Sequence, residues 1–320
     1  MTEARRPRPR RGPRPPRTTT LAAAWLALVV ASAVFAPWLG LDDPTRSAPC
    51  AAKPPTVAVD ADNRPVLRNG RYQLVAQPGC PLQAAADDHV AALPSGRHLL
   101  GTDEIGRDVL SRLVFGSRSA LMVGFVAIGV ALVAGCGVGM IAGFAGGVVD
   151  RLITQCFNVV LAIPGMVLII TIVGALDRGL LSVCIGVALV ALPVFGHVAR
   201  VQTRVIAARD HVTASRAAGA RATRVVRIEI VPSLLPQMAG YYALASALAL
   251  TAEGGLALLG LSVREPTATW GGMIAGGRQL ITTYPNVVLM PTIMMFVTIL
   301  AINRLGDHFA SRLDTRQSAW

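Results

Sequence analysis

Long apolar runs, separated by polar and arginine-rich segments, dominate the hydropathy pattern of this chain. A helix needs about 20 predominantly apolar residues to cross a bilayer. By that measure we predict six spans, at residues 21–41, 119–143, 152–176, 180–199, 235–261 and 286–303. Each should be α-helical, because lipid offers no hydrogen-bonding partner to an unpaired backbone group. The pattern therefore predicts an all-α polytopic membrane protein.

The polar segments define the rest of the organisation. Residues 1–20 form a Pro/Arg-rich tail typical of disorder, and residues 304–320 form a second tail. Residues 42–118 separate the first two spans, where we expect a small loop-rich extracellular lobe followed by an amphipathic surface helix. The remaining spans make up a core at 119–303, interrupted by a loop at 200–234.

Composition and charge agree with a membrane protein and suggest its orientation. Hydrophobic residues make up 53% of the 320 residues and charged residues only 15%, whereas soluble proteins carry about 25% charged residues. The net charge of +12 comes largely from arginines in the first tail, in the 200–234 loop and after the last span. Six spans and a cytoplasmic N-terminus place all three clusters on the cytoplasmic side, as the positive-inside rule requires. No aromatic platform accompanies the basic tail, so we expect no nucleic-acid partner.

The loop HVTASRAAGARATRVVRIEIVPSLLP, at 211–236, has the pattern of a short helix–turn–helix. Asp210 is predicted to cap the first helix by accepting a backbone N–H. The small residues that follow favour helix and leave little bulk, so that another protein can approach closely. We expect Gly219 to take the left-handed conformation that turns the chain, and Pro232 to stop the basic segment behind it.

The sequence contains no catalytic constellation. It has no GxxxxGK[ST] phosphate loop, no HExxH and no GxSxG nucleophile turn. We therefore expect no ATP hydrolysis, cofactor or metal on this chain itself. A membrane-embedded enzyme would need clusters of His, Asp or Ser inside the spans, and the carboxylates are instead scattered over loops.

Three segments, in order and at this spacing, carry a resemblance to a known family. They are GTDEIGRDVLSRLVFGSRSAL at 101–121, ASRAAGA…RIEIVP at 214–232 and AEGGLALLGLSVREPTATWGGM at 252–273. Together they resemble the permease subunits of ABC importers, and within these the second (C-type) subunit of the dipeptide/oligopeptide/nickel group. The resemblance runs from about Leu99 to Asp314.

The resemblance implies half of a heterodimeric peptide pathway in the bacterial plasma membrane, with both termini cytoplasmic. A homologous second permease would form the other half, two separate subunits would use ATP and Mg²⁺, and an extracellular substrate-binding protein would deliver cargo. The 200–234 loop would couple to an ATP-binding subunit. Its candidate residues are Asp210, Thr213, Ala214, Ser215, Arg216, Ala217, Gly219, Ala220, Ile230 and Pro232.

The coupling loop departs from the family at Thr213, where the family usually has Glu. A Glu three residues past the cap could reach back to the cap N–H, and Thr is too short to do so. We expect docking to depend on shape, with a charge contact to the ATPase missing or replaced.

Outside the loop, two residues are candidates for the translocation path. Glu253 falls clearly inside a predicted span, where a charge is costly and faces protein or water. It either lines or gates the path or makes a hydrogen bond between helices, and we favour the hydrogen bond. Trp270 either anchors the chain at the membrane interface or contributes to an outer gate.

Charged residues of the outer segments have simpler interpretations. We predict that Arg264 and Glu265 form a solvated loop pair. Arg107 and Asp108 either pair with the lobe or a partner subunit, or lie on the solvated face of the surface helix.

Cys50 and Cys80 both fall in the exported segment, where an oxidising compartment allows a disulfide. Two free thiols are the alternative. Neither cysteine belongs to a CxxC pair, so we expect no metal there.

Two other transport functions remain open. The same type of importer subunit could carry nickel or another small solute. A secondary transporter working alone would need broken helices in paired positions and several buried ion ligands.

Overall fold

The computed structural model describes residues 17–45, 56–57, 67–68, 71–72, 74–75, 99–104, 106–282 and 284–317. The helices are α1 Arg17–Phe35, α2 Val109–Leu121, α3 Ile128–Ala145, α4 Gly147–Leu161, α5 Gly165–Ala175, α6 Leu180–Ala207, α7 Asp210–Ala217, α8 Ala222–Val225, α9 Val231–Leu258, α10 Trp270–Gly277 and α11 Pro285–Gln317. The 3₁₀ turns Ala36–Trp38 and Arg278–Leu280 follow α1 and α10, and the π-helical turns Met122–Ala127 and Val226–Ile230 precede α3 and α9. The predicted all-α architecture is confirmed.

Short strands occur only between α1 and α2 in the part of the chain that the structure describes. They are β1 Thr56–Val57, β2 Leu67–Arg68, β3 Arg71–Tyr72 and β4 Leu74–Val75. β1 pairs antiparallel with β4, and β2 with β3. They lie in the segment that we predicted to be an outer lobe.

The predicted count of six spans is not confirmed. Among the described residues, four helical segments are long and apolar enough to cross a membrane: Arg17–Trp38, Val109–Ala145, Leu180–Ala207 and Pro285–Ser311. α4 and α5 qualify as a fifth only when taken together. The predicted span 235–261 lies mostly in α9, which has 28 residues but does not qualify, because polar and glycine residues dilute its apolar run.

A sharp bend of 83° separates α4 from α5. Pro164 stands at the N-cap of α5 with φ −53° and ψ 125°, outside the helical region. Proline has no N–H to donate and disfavours helical geometry in the residue before it, so the helix breaks here. The break turns the chain almost at a right angle.

The segment that we expected to lie on the membrane surface before the second span is the start of a longer helix. α2 continues through the π-helical turn into α3, over 37 residues in all. Asp108 caps its beginning by accepting a hydrogen bond from the N–H of Ser111 at 2.7 Å. Ser111 and Arg112 are 0% and 2% exposed, so this first turn is enclosed by protein on its polar side as well.

A stripe of glycines brings α3 and α6 into backbone contact. A side chain on any of these glycines would collide with a carbonyl oxygen of α6. The stripe consists of Gly135, Gly139 and Gly143, which face Leu192, Gly196 and Arg200 respectively. Helices in lipid associate through such close approach of small residues. Gly137 points elsewhere, and a Cβ built on it meets nothing within 4 Å.

Two buried clusters position the ends of the bundle. One gathers Val29, Val109, Leu113, Trp270, Met273 and Val287, from α1, α2, α10 and α11. The other gathers Ile206, Val212, Val225, Ile230, Leu234 and Met238, from α6 to α9. The second cluster forms the base of the loop between the two long helices α6 and α9.

The glycine stripe yields a prediction with opposite expectations for two neighbouring positions. Gly139→Ala should lower the thermal stability in detergent by about 1–3 kcal/mol, because the added methyl forces α3 away from α6. Gly137→Ala should be neutral or stabilising by up to about 1 kcal/mol, since alanine favours helix and the site is open. Thermal unfolding of both variants in one detergent measures this. Equal midpoints for the two would contradict the stripe as the contact surface.

Candidate functional site

The loop between α6 and α9 begins with the short helix α7, and its start differs from our prediction. The carbonyl of Arg209 accepts the first helical hydrogen bonds, from the N–H groups of Val212 at 3.1 Å and Thr213 at 3.0 Å. Arg209 is thus the N-cap, and no side chain caps this end. The prediction that Asp210 is the cap is wrong. Asp210 instead occupies the first turn, where its charge still interacts favourably with the helix dipole.

The end of α7 is built as the sequence predicts. Gly219 has φ +83°, in the left-handed region. Its N–H donates to the carbonyl of Arg216, and the N–H of Ala220 donates to that of Ser215, both at 3.0 Å. This pair of bonds is the Schellman motif, which satisfies carbonyls at a helix end. The expected turn at Gly219 is confirmed.

The underside of the loop is fixed to the bundle. Val212, Val225 and Ile230 are each 0% exposed. The guanidinium of Arg216 lies over the Phe144 ring, 4.2 Å from its centroid, near the end of α3. A cation held over an aromatic face is attracted by its quadrupole. Ile230, which we predicted among the coupling residues, therefore supports the loop from below.

The outer side of α7 is exposed and consists mostly of small residues. Thr213 is exposed, and its Oγ1 donates back to the carbonyl of Arg209 at 3.2 Å. The other predicted residues that are exposed are Asp210, Ala214, Arg216, Ala217, Gly219 and Pro232, while Ser215 and Ala220 are half-buried. The outer side of α7 is therefore an exposed ridge with little side-chain bulk, and its inner side packs on buried apolar residues.

Pro232 does not end the segment behind the turn, contrary to our prediction. α8, the π-helical turn and α9 follow one another without a break, and Pro232 is the second residue of α9. A proline is tolerated in the first turn of a helix, and the wider π turn precedes it here.

An ion-pair cluster that sequence reasoning missed lies at the base of this loop. Asp150, in the first turn of α4, is 6% exposed. Arg200 of α6 donates to it from both Nε and Nη2, the latter at 2.8 Å, and Arg204 also donates to Oδ2. The two arginines are one turn apart on the same helix. In the sequence, this spacing of the arginines and an acid shortly after the Gly146-Gly147 turn were the features that could have predicted the ion pair.

A second charged cluster lies before α2 and was also misjudged. Arg107 is 3% exposed and donates from Nε to Asp103 at 2.7 Å and from its two Nη atoms to Glu265 at 2.6 and 3.0 Å. Arg112 lies 3.6 Å from both acids. Glu265 is therefore not part of a solvated pair with Arg264, and Arg107 does not lie on a solvated face. The prediction of a solvated Arg264–Glu265 pair is wrong, and of the two alternatives for Arg107 the solvated face is excluded.

The cluster shifts the acids in opposite directions. The hydrogen bond from Arg107 holds the pKa of Glu265 below its usual value, even though partial burial opposes this. Burial, followed by repulsion from Asp103 and Glu265, raises the pKa of the neighbouring Glu104. The contact with Arg107 therefore favours the ionised form of the Glu265 carboxylate.

Glu253 of α9 is bound by its own chain. It is 6% exposed, and Ser262 donates to its Oε1 at 2.8 Å. A Cβ built on Gly271 would lie 2.5 Å from Oε2 of Glu253, so the carboxylate also packs against the first turn of α10. The carboxylate thus sits at the N-terminus of α10, where the helix dipole favours a negative charge. This geometry supports the hydrogen-bond interpretation, while a role in lining or gating the path stays a prediction.

Trp270 does not anchor the chain at an interface. It is 2% exposed, and its Nε1 donates to the carbonyl of Leu113 at 2.9 Å. Its ring packs against Gly116 so closely that a Cβ there would lie 3.0 Å from Cδ1. An interfacial anchor needs an indole that faces the headgroups, so that interpretation is wrong. A gate role stays a prediction.

The disulfide candidates Cys50 and Cys80 lie outside the described residues. Within the described ranges, no three His, Cys, Asp or Glu side chains come together as a metal-binding group.

Comparison with known proteins identifies the family. Residues 135–315, more than half of the chain, match the family described as the binding-protein-dependent transport system inner membrane component. The chain belongs to this family. The match covers the glycine stripe, the loop of α7 and α8, and α9 to α11.

Curated relatives of the permease are named as permease proteins of di/tripeptide, dipeptide and glutathione transport systems. It is 36% identical to the di/tripeptide transport system permease protein DppC of Pseudomonas aeruginosa, over 69% of this chain and 73% of that protein. It is 34% identical to the dipeptide transport system permease protein DppC of Alkalihalophilus pseudofirmus, over 71% and 74%. It is 30% identical to the glutathione transport system permease protein GsiD of Pectobacterium atrosepticum, over 70% and 74%.

Solved structures show the same fold. Two inward-facing structures of the MetNI methionine ABC transporter match with TM-scores of 0.51 and 0.53 and sequence identities of 18% and 17%. The matches cover 63% and 64% of this chain and 96% and 97% of those chains.

Family membership fixes the general character of the permease. It is a multi-pass inner membrane protein and a transport component rather than an enzyme. Proteins of this family work with a partner permease, an ATPase and a substrate-binding protein.

The Glu265 cluster yields a prediction about pH. Glu265→Gln should lower the stability of the permease at pH 7 by about 1–3 kcal/mol, because Arg107 loses a charged acceptor, with solvent screening on the exposed side of the carboxylate. Because the pKa of Glu265 is lowered in the folded state, its contribution is present above the unfolded value of about 4.3 and is lost as the pH falls through the folded value. Thermal unfolding from pH 7 to pH 3 should therefore show the two proteins converging.

Asp177→Asn is the matched control, since Asp177 is exposed and forms no ion pair with any described residue. An unchanged midpoint for Glu265→Gln at pH 7, or a gap that widens in acid, would contradict the assignment.

Proposed function

We propose that this permease is half of a heterodimeric pathway in an ABC importer for short peptides. Its relatives in three organisms are named as transporters of dipeptides, tripeptides or glutathione, and glutathione is itself a tripeptide. The permease covers 73–74% of each of them. Short peptides are therefore the substrate class that these names share.

The observation that carries the proposal is the form of the loop between α6 and α9. α7 presents small residues outward, while Val212 is completely buried beneath it. A rigid ridge of low bulk suits insertion into a groove of another protein, because little side-chain entropy is lost when it is held. We infer that α7 is the coupling helix and that its partner is an ATP-binding subunit.

ATP and Mg²⁺ belong, in this proposal, to two such partner subunits. The permease sequence lacks a phosphate-binding loop, and the coupling helix would pass the closure of the ATPases on to the bundle. A substrate-binding protein outside the cell would deliver the peptide.

We place both termini and the coupling loop in the cytoplasm. The loop carries Arg209, Arg216, Arg221, Arg224 and Arg227, which are all exposed. An excess of arginine in a loop marks the cytoplasmic side of a membrane protein. The Asp103–Arg107–Glu265 cluster then lies on the outer side.

The test compares two glycines that have the same backbone geometry. Gly219 and Gly260 both have positive φ, at +83° and +70°, and a Cβ on either meets nothing within 4 Å. Both donate to the carbonyl three residues earlier, and the residue after each donates to the carbonyl five residues earlier. One ends the proposed coupling helix, and the other ends α9 on the outer side.

Gly219→Pro should abolish recovery of ATPase subunits when the tagged permease is purified from its host in mild detergent. Proline cannot adopt positive φ and removes the N–H, so the turn that shapes the ridge is lost. Gly260→Pro, which carries the same backbone strain elsewhere, should retain them. Recovered subunits are identified by mass spectrometry, and ATPase activity is measured with a dipeptide mixture and the binding protein.

If no ATPase accompanies the wild type, the importer proposal fails and a transporter working alone takes its place. If both proline variants lose the ATPase equally, the loop is not the specific docking element. Stimulation of ATP hydrolysis by nickel chelates but not by dipeptides would overturn the substrate class alone.

A further inference from the structure

The turn between α3 and α4 contacts the proposed coupling loop at two separate places. Gly146 and Gly147 have φ +65° and +57°, which allows a tight reversal between the two helices. We name residues 144–150 the inner hairpin. Its first residue, Phe144, contacts the coupling helix, and its last, Asp150, contacts the helix that leads into the coupling loop.

The contact at Asp150 is specific in geometry. Two guanidinium groups converge on one carboxylate, and Arg200 binds it through two nitrogens. A two-nitrogen contact fixes direction as well as distance, whereas apolar surfaces can slide past each other. Asp150 is 6% exposed, and separating it from the two arginines would break three charge-assisted hydrogen bonds. The contact therefore resists shear between α4 and α6.

The contact at Phe144 reaches the other end of the coupling helix. Arg216, in the last turn of α7, lies over its ring at 4.2 Å. Arg204 lies only a few residues before α7 begins. The inner hairpin is therefore joined to the coupling helix both just before its start and at its end.

Further along, α4 is fixed to α6 a second time. Gly196 leaves room for the Phe157 ring, which a Cβ there would overlap. The same ring meets His197 edge-on, with centroids 5.4 Å apart. Asp150 and Phe157 are two helical turns apart, so α4 and α6 are in contact along about half the length of α4.

The bend of 83° comes directly after this part of α4. Beyond it, α5 borders an apolar cavity of about 210 Å³ between α5, α6 and α9, to which it contributes Ile169. The bend lies at Pro164, and the cavity leaves space beside α5. A displacement of the coupling helix would carry α4 and α6 together and change the angle at Pro164.

We propose that Asp150 is a positioning residue for coupling: it ties the inner hairpin to the base of the coupling loop, so that movement imposed on α7 reaches the bent helix pair. This inference rests on the proposed function. Without this contact, an ATPase could still dock and hydrolyse ATP, but the movement of α7 and α6 would no longer displace α4.

The test measures transport and ATP hydrolysis separately in the complete reconstituted complex. Asp150→Asn keeps the shape of the side chain but removes its charge, and peptide imported per ATP hydrolysed should fall about tenfold, within the usual range of coupling between sites. ATPase activity should persist. Arg200→Lys keeps the charge but loses the two-nitrogen contact, so it should give an intermediate ratio. Asp177→Asn, at an exposed acid, should leave the ratio unchanged.

A purely structural role would lower transport and hydrolysis in proportion, because fewer intact complexes would be present. A wild-type ratio in Asp150→Asn therefore overturns the inference, whatever the yield. Should that variant fail to assemble, Arg204→Lys tests the same contact from its exposed side and should lower the ratio about twofold or more. An unchanged ratio there also overturns it. A wild-type complex that imports no peptide would instead overturn the proposed function.

Discussion

Close approach of backbones is the constraint on which this bundle depends. Lipid tails are as apolar as leucine side chains, so burial of apolar surface does not by itself draw two helices together inside a membrane. α3 instead carries a glycine at every fourth position of one stripe, and each of these glycines faces a carbonyl group of α6. Contacts of this kind gain dispersion energy and weak C–H···O hydrogen bonds. The close contact of α3 and α6 also sets the positions of the segments that follow them, the inner hairpin and the coupling loop.

Charge clusters at the two ends of the bundle add direction to that packing. Arg107 with its two acids joins the segment before α2 to the loop after α9, and Asp150 with its two arginines joins α4 to α6. Neither cluster is needed to make helices. Each instead selects one relative placement of elements that could otherwise slide. The same logic applies to Glu253, whose donor Ser262 belongs to the loop that follows its own helix.

Local features of this permease were predictable from sequence, and contacts between distant segments were not. The turn at Gly219 and the bend at Pro164 follow from the conformational limits of single residues. The pairing of Arg107 with Glu265 spans 158 positions, and that of Asp150 with Arg200 spans 50. No periodicity encodes which loops meet, so the sequence alone suggests solvated charges. The prediction of the α7 cap failed for a smaller reason. The N-cap lies one residue before Asp210, and the backbone carbonyl of Arg209 accepts the first helical hydrogen bonds.

The binding of Glu253 has a consequence for how the protein enters its membrane. α9 is too weakly apolar to qualify as a span alone, and among the described residues its carboxylate accepts a hydrogen bond from Ser262 and packs against Gly271. These residues are synthesised after α9 itself. In a newly synthesised α9, the Glu253 carboxylate therefore lacks these contacts until the following segment has crossed the membrane and folded back onto α9. We therefore expect α9, α11 and the loop between them to become stable together during biogenesis.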